Sequence, residues 1–278
     1  MAKGIGLIGN FRGKVGNMVG YNLKDSNNKQ TQGVRVYQPV VKNPKTAGQA
    51  EQRAKLAPIN ATYRALKMII DRGQEGKAYG NKSRLAWLSD AMKAFNGGWF
   101  EKGAAITAPA LVPLTKGSLG GVAPIEEGAG TVSVQLSDLE AAPTKIGQLS
   151  TGIIAGNPAV KNGDQLTFVG LVNRGTGVPT VYIGSIVVDT TSTDNIPDTL
   201  AATDTLVQLK DIDDEGLAGC VIQSREGDGG QHMRSTTSLI RMTEYSADLL
   251  APAAKAAAIA SYMSAGANTD WAEESLQD

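Results

Sequence analysis

Gln165-Leu166-Thr167-Phe168-Val169-Gly170-Leu171-Val172-Asn173 and, after a break containing Gly and Pro, Thr180-Val181-Tyr182-Ile183-Gly184-Ser185-Ile186-Val187-Val188 are two apolar or alternating runs of strand length. Working outward, further runs of this kind are Thr131–Leu136, Lys145–Ile154, Thr205–Leu209, Ala218–Gln223 and Ser238–Thr243. Turn clusters separate them at spacings of roughly ten to fifteen residues, the rhythm of an antiparallel sandwich of immunoglobulin-like type. The count alone suggests that type, because the Cys…Trp…Cys hallmark is missing.

Upstream of this β region the period changes. Thr46 is a candidate cap after Asn43-Pro44-Lys45, and residues 46–71 read as helical, with Ala50, Ala54, Ala57, Ala61, Leu66, Met68, Ile69 and Ile70 as the apolar stripe. Pro58 is expected to kink or split that helix. A second helix over 82–96 places Leu85, Leu88, Met92 and Phe95 on one face beside Trp87. A Gly-rich turn joins the two into a helical hairpin. Downstream, the Ala-rich segment Ser246–Ala265 reads as a helix, followed by an acidic tail, Asp270–Asp278.

Residues 1–45 differ from both. They are rich in Gly, Asn, Lys and Gln, and alternate only in Lys14–Tyr21 and Val34–Tyr37, with Lys24–Gln30 as a hairpin tip. So little apolar material cannot form a core alone, so an arm pairing with a neighbouring subunit is expected. Val15, Met18, Val19, Tyr21, Val34, Val36 and Tyr37 are the expected anchors of that oligomer interface. The expected organisation is α+β: an extended basic arm (1–45), a helical hairpin (46–103), a β-sandwich (104–245), and a C-terminal helix with acidic tail (246–278).

The formal charge of zero conceals a division. Residues 1–100 hold 17 Lys/Arg against 5 Asp/Glu, and residues 101–278 hold 10 against 22. The basic half suits nucleic acid or the acidic surface of another copy. Candidate contacts are Lys14, Arg35, Arg53, Lys55, Arg64, Lys67 and Arg72, with Lys77, Lys82, Arg84 and Lys93 on the same helical surface. No reader motif for base-specific recognition accompanies them. The start of the sequence lacks the pattern of a signal peptide, and no apolar run approaches the ~20 residues that span a bilayer. A soluble product made in the cytoplasm is expected, without a membrane partner.

Chemistry-bearing motifs are weak. Gly4-Ile5-Gly6-Leu7-Ile8-Gly9 spells a dinucleotide fingerprint but has no strand before it. Asp211-Ile212-Asp213-Asp214-Glu215-Gly216 opens like a calcium loop, yet its twelfth position is Ile222 where a bidentate Glu is needed, so an acidic turn is the better reading. Cys220 lies in an apolar run and reads as a core residue. His232, the sole histidine, is expected in a Gly-rich loop. One Cys and one His cannot make a zinc site of familiar composition, and no catalytic triad can be assembled. Glu126-Glu127 and Glu273-Glu274 are adjacent pairs, expected to be solvated. No catalytic residue, cofactor or metal is predicted.

Phe11–Tyr21, Val34–Pro39, Asn43–Thr46 and Gln49–Lys55 together resemble a family from gut-type bacteria and their phages. Its members open with a GKVG–VVG signature, then an arginine–proline step and a "T-AQ--QR-KF" helix. Leu114-Thr115-Lys116-Gly117-Ser118-Leu119 is similar to that family's opening of an immunoglobulin-like domain, and Asn162–Asn173 to one of its core strands. Here Asn27–Gln32 is inserted in the arm and the C-terminal helix is added. The resemblance implies a virion or assembly role and transfers no catalytic residues. The expected function is thus a non-catalytic structural component of a phage virion, capsid- or head/portal-associated, made in the host cytoplasm and bound to copies of itself and other virion proteins. Two alternatives stand beside it: a genome-associated protein binding phage DNA, and a surface- or carbohydrate-binding module using Tyr182, Tyr245 and Tyr262.

Overall fold

The computed structural model describes residues 13–24, 30–37, 46–127, 131–172, 179–210, 212, 216–227, 230–241 and 247–264. The protein is α+β with mostly antiparallel sheets, and it divides into two compact units.

The first unit contains β1 (Gly13–Val15), β2 (Met18–Lys24) and β3 (Gln30–Val36), an antiparallel sheet in that order. The expected single strand over Lys14–Tyr21 is corrected to a hairpin. Val15 pairs with Met18 across Gly16 and Asn17, and Gly16 has φ +57°. A two-residue turn opening on a positive-φ glycine matches the twist of its flanking strands, and interrupts an alternation that otherwise reads as continuous. The tip, 25–29, lies outside the described residues.

The second unit, Thr46–Ala265, contains every other element. Its helices α1 (Ala47–Ala65), α2 (Lys67–Ile70) and α3 (Asn81–Ala94) come first. Thr46 caps α1, its hydroxyl accepting from the Gln49 N–H at 3.4 Å. The helix runs on through Pro58, and the break falls at Leu66, whose ψ is +24°. Around Pro58 hydroxyl bonding continues: Thr62 Oγ1 donates to the Pro58 carbonyl (3.0 Å) and accepts from Ala110 N–H (2.8 Å). In α3 the buried positions are Ser83, Trp87 and Ala91, while Leu85 is exposed. Trp87 takes the inward position, its Nε1 donating to the Pro113 carbonyl at 2.7 Å. That rotates the stripe away from the expected face.

The β region comprises β4 (Pro113–Thr115), β5 (Ile125–Glu127), β6 (Thr131–Gln135), β7 (Gln165–Val172), β8 (Thr180–Val187), β9 (Leu200–Ala202), β10 (Leu206–Leu209), β11 (Gly216–Gly227), β12 (Gln231–Arg234), β13 (Thr237–Ser238) and β14 (Ile240–Arg241). One sheet has the order β5-β6-β10-β9. A second has β12-β11-β7-β8, with β14 also paired to β11, and β13 pairs with β4.

The segment Lys145–Ile154, expected as a strand, is a helix, α4 (Ile146–Gly156). Ile146, Leu149 and Ile153 have helical spacing, and the Gln148 side chain accepts from the Thr144 and Lys145 N–H groups at its start. Its three glycines lower the helical appearance of the sequence. They serve close packing: a Cβ at Gly147 would lie 2.6 Å from the Ser192 carbonyl, and one at Gly156 2.6 Å from that of Gln135.

Alternation along β7 explains the layering. Leu166, Phe168 and Val172 enter a core shared with β6, α4, β8 and β10, whereas Val169 and Leu171 enter one shared with α1, α2 and α3. The central sheet is therefore buried on both faces. The C-terminal helices α5 (Ala247–Leu250) and α6 (Pro252–Ser264) close the unit. Ala258 meets Ala54 and Trp99, and Lys255 pairs with Glu51. Ser246 and the acidic tail fall outside the described residues.

Candidate functional site

The seven predicted anchors fall on a single small sheet, distributed between its faces. Ladder register sets Met18 beside Val36, and Gly20 beside Val34, on one face. Val15 is aligned with Met18. Met18, Val34 and Val36 are 43%, 48% and 72% exposed. The reverse face carries Val19, Tyr21 and Tyr37, all part-buried, together with Lys14 and Arg35. Its aromatic side chains pack on neighbours of the same face, while Lys14 and Arg35 stay exposed. The Tyr21 ring lies over Gly33, where a Cβ would come within 2.7 Å of it, and Lys14 Nζ stands 3.6 Å from the Tyr37 ring centre. One face is thus furnished internally, and the other is an apolar strip open to solvent.

The basic candidates separate in a comparable way. Lys55 pairs with Glu51, and Lys67 pairs with Asp71, which also accepts from Tyr63. Arg84 stacks on Tyr63. Arg53, Arg64, Lys82 and Lys93 make no ion pair among the described residues. Arg72 is different: it belongs to a polar cleft of about 720 Å³ between the α2–α3 connection and the β11–β12 end of the central sheet.

Glu75 builds that cleft. Its Oε2 accepts from the Ser118 N–H (2.8 Å) and the Arg234 N–H (3.0 Å), and its Oε1 accepts from the Ser118 hydroxyl (2.8 Å). The Arg234 and then the Ser118 N–H groups hold its carboxyl below the usual carboxylate range despite partial burial. One side chain so ties the helical layer to two β segments. Gly117 makes this approach feasible, since a Cβ there would lie 2.1 Å from the Arg234 carbonyl oxygen and 2.5 Å from Glu75 Oε2. Leu114–Leu119, notable in the sequence as a motif, is the segment that anchors Glu75. Arg234 Nε donates to the Arg72 carbonyl at 2.5 Å, and Arg72 stacks on Tyr79 at 5.1 Å.

The single thiol is not placed for chemistry. Cys220 is wholly buried in β11, and burial pushes its thiol up to about 12. His232 is corrected from a loop to strand β12, where it is exposed and pairs with Glu226. Gly230, at φ +75°, makes the preceding turn. Among the described residues no three His, Cys, Asp or Glu side chains cluster to hold a metal. No helix there is long and apolar enough to cross a membrane. Of the calcium-like stretch only Ile212 and Gly216 are described, and Ile212 is core. The glycine fingerprint at 4–9 and the side chains of Glu126, Glu127, Glu273 and Glu274 lie outside the described residues. Tyr182 packs on the core and Tyr262 on Trp99 and Ala258, while Tyr245 is not described.

Sequence reading missed Arg234, Glu75 and Tyr79 as a group. Arg234 is far along the chain from Glu75 and Tyr79, and only the pairing of β11 with β12 and the fold of the α2–α3 connection bring it to them. No family model, curated protein or solved structure matches the chain.

Proposed function

We propose that the protein is a non-catalytic structural component of a phage virion, capsid- or head/portal-associated, that self-assembles through its N-terminal sheet. The observation that carries this reading is the asymmetry of that sheet: Met18, Val34 and Val36 stand open on one face while the aromatic side chains of the reverse face pack on their own neighbours. An apolar strip left in water is a surface whose burial against a partner is favourable. Its occupant is a second copy, because the chain supplies both signs of charge, 17 basic against 5 acidic residues in 1–100 and the reverse excess beyond. Charge complementarity steers docking and sets orientation. Exposed ion pairs add only ~0–1 kcal/mol each, so apolar burial on the strip supplies most of the affinity. The resemblance of the arm and first helix to phage-encoded proteins supports the virion part of the proposal. The immunoglobulin-like reading of the β region belongs to the same proposal, and rests on two antiparallel sheets that share one core.

Sedimentation of the full chain at physiological salt tests the assembly step. The wild type is expected to sediment as an oligomer, and Val34→Lys combined with Val36→Lys to sediment as a monomer that is still folded by circular dichroism. A monomeric wild type at all accessible concentrations would sink the reading. Mass spectrometry of purified particles, with the protein absent from them, would remove the virion assignment alone.

A further inference from the structure

The cleft built by Glu75 is not isolated. A second depression, of about 610 Å³, shares Gln74, Glu75, Gly76 and Lys77 with it and extends to Asp90, Lys116 and Ser118. A third, of about 220 Å³, shares Arg72, Gln165, Ser224 and Arg234 and extends over Ile69, Thr167 and Ile222. The three adjoin, sharing walls, as a segmented groove around the α2–α3 connection. Such a shape fits a length of chain better than a compact small molecule.

Its charge is arranged with economy. Four cationic side chains line the central cleft: Arg72, Lys77, Arg225 and Arg234. Arg225 is engaged, its Nε 2.5 Å and its Nη2 2.7 Å from the buried Asp164 carboxylate. Glu75 is engaged by Ser118 and the Arg234 backbone, and Glu226 is exposed on the rim. Arg72, Lys77 and Arg234 make no ion pair among the described residues. Partial burial and then the neighbouring Arg72 charge disfavour the protonated Arg234 guanidinium, and the Glu75 carboxylate offsets this only in part, so two like charges are held together beside one anion that is already engaged. Structural economy alone does not call for such a pair. Beside it Tyr79 is 65% exposed, a flat aromatic surface at the mouth of the cleft.

We infer that this groove binds single-stranded nucleic acid, with backbone phosphates at Arg72, Arg234 and Lys77 and a base against Tyr79. Guanidinium pairs match the forked geometry of phosphate oxygens, and aromatic rings accept any base. Recognition is then independent of sequence and dependent on salt. The inference goes beyond the assembly reading and does not rest on it, since the groove lies wholly within the second unit.

Fluorescence anisotropy with the full-length protein and a labelled oligothymidylate tests it. Binding is expected at low salt, falling steeply as salt rises. Lys77→Gln should weaken it several-fold and reduce the salt slope by about 1. Tyr79→Ala should weaken it about tenfold. Lys93→Gln, the same charge change on α3 outside the groove, should alter affinity less than about twofold. All three residues are exposed, so an unchanged unfolding midpoint certifies each variant. Absence of binding at low salt would overturn the inference. Equal losses for Lys77→Gln and Lys93→Gln would also overturn it, because attraction would then belong to the basic surface at large. So would binding of a synthetic acidic peptide covering residues 266–278 when the oligonucleotide fails to bind.

Discussion

The small sheet of β1, β2 and β3 and the central sheet around β7 and β11 are made by the same rule and used in opposite ways. Both are antiparallel and both alternate. In the central sheet each alternate set of side chains has a layer to enter: Leu166 and Phe168 meet β6, β10 and α4, while Val169 and Leu171 meet α1–α3. In the small sheet only one set is covered, by Tyr21 and by Lys14 on Tyr37. Alternation tells which residues share a face but does not tell what lies opposite. The central sheet has both faces covered, and the small sheet leaves Met18, Val34 and Val36 exposed on one of its own.

The sharpest way to break this contrast is to delete apolar volume from each sheet. Phe168 is 1% exposed, and Phe168→Ala should cost about 3–5 kcal/mol of unfolding free energy, through lost transfer energy and the cavity left behind. Val36→Ala should change it by less than about 0.5 kcal/mol. Urea titrations of the two variants give the comparison directly. Similar costs would mean that the small sheet is part of the same cooperative core.

A second test bears on the polar anchorage of the central sheet. Asp164 is fully buried, with its carboxylate bound by Arg225, by Gln223 Nε2 at 2.7 Å and by the Lys161 N–H at 2.8 Å. Burial pushes its pKa up, but the Arg225 guanidinium and the other donors outweigh that and leave it below the usual value. A carboxyl lowered on folding stabilises the protein fully above its unfolded pKa of about 3.9, and the contribution fades as pH falls through the folded value. Asp164→Asn strands the guanidinium and should cost about 3 kcal/mol at neutral pH, the lower end for a broken buried pair because Arg225 is partly solvated. The deficit should shrink below about pH 4, as the wild type loses the same interaction. Unfolding midpoints across acidic pH measure it, and a deficit constant to the lowest pH would refute the account.

These contrasts were unevenly legible in the sequence. Periodicity located β6, β7, β8, β10 and β11, because their alternation is unbroken by turn chemistry. It failed at α4, where glycines required by close backbone contacts disguise Ile146, Leu149 and Ile153. It failed again at Gly16-Asn17, where a turn hides inside an even alternation. Cys220 as core and Thr46 as cap were readable because each depends on its near neighbours. The groove was not readable, since Glu75, Ser118 and Arg234 meet only through tertiary contacts. Sequence charge pointed to Arg72 but gave no reason to prefer it over Arg53 or Arg64.

Between the two sheets in expected effect stands Gly117. Its replacement by Ala sets a Cβ against the Arg234 carbonyl and the Glu75 carboxylate, atoms that cannot rotate aside without breaking the Glu75 bonds. Gly117→Ala should therefore destabilise the body by about 1–3 kcal/mol, while leaving oligomer mass unchanged at temperatures where it is folded. Calorimetry for the first and light scattering for the second separate the body from the sheet. A loss of assembly with Gly117→Ala at full folding would show that the groove, and not the N-terminal sheet, mediates association.

The smallest expected effect on stability is the most discriminating. Val36 is 72% exposed at the edge of the open strip, so Val36→Thr keeps the branched shape that suits a strand and exchanges one methyl for a hydroxyl. In the isolated subunit that exchange is made in water and should change unfolding by less than about 0.5 kcal/mol. Buried against a partner, the hydroxyl loses water without a built acceptor, at about 1–3 kcal/mol per copy. Dissociation constants from dilution series should rise about fivefold or more while the unfolding midpoint of the dissociated subunit stays fixed. If the dissociated subunit, studied well below the dissociation constant, loses stability as association weakens, the strip is already covered within its own chain, and the difference between the two sheets is one of degree.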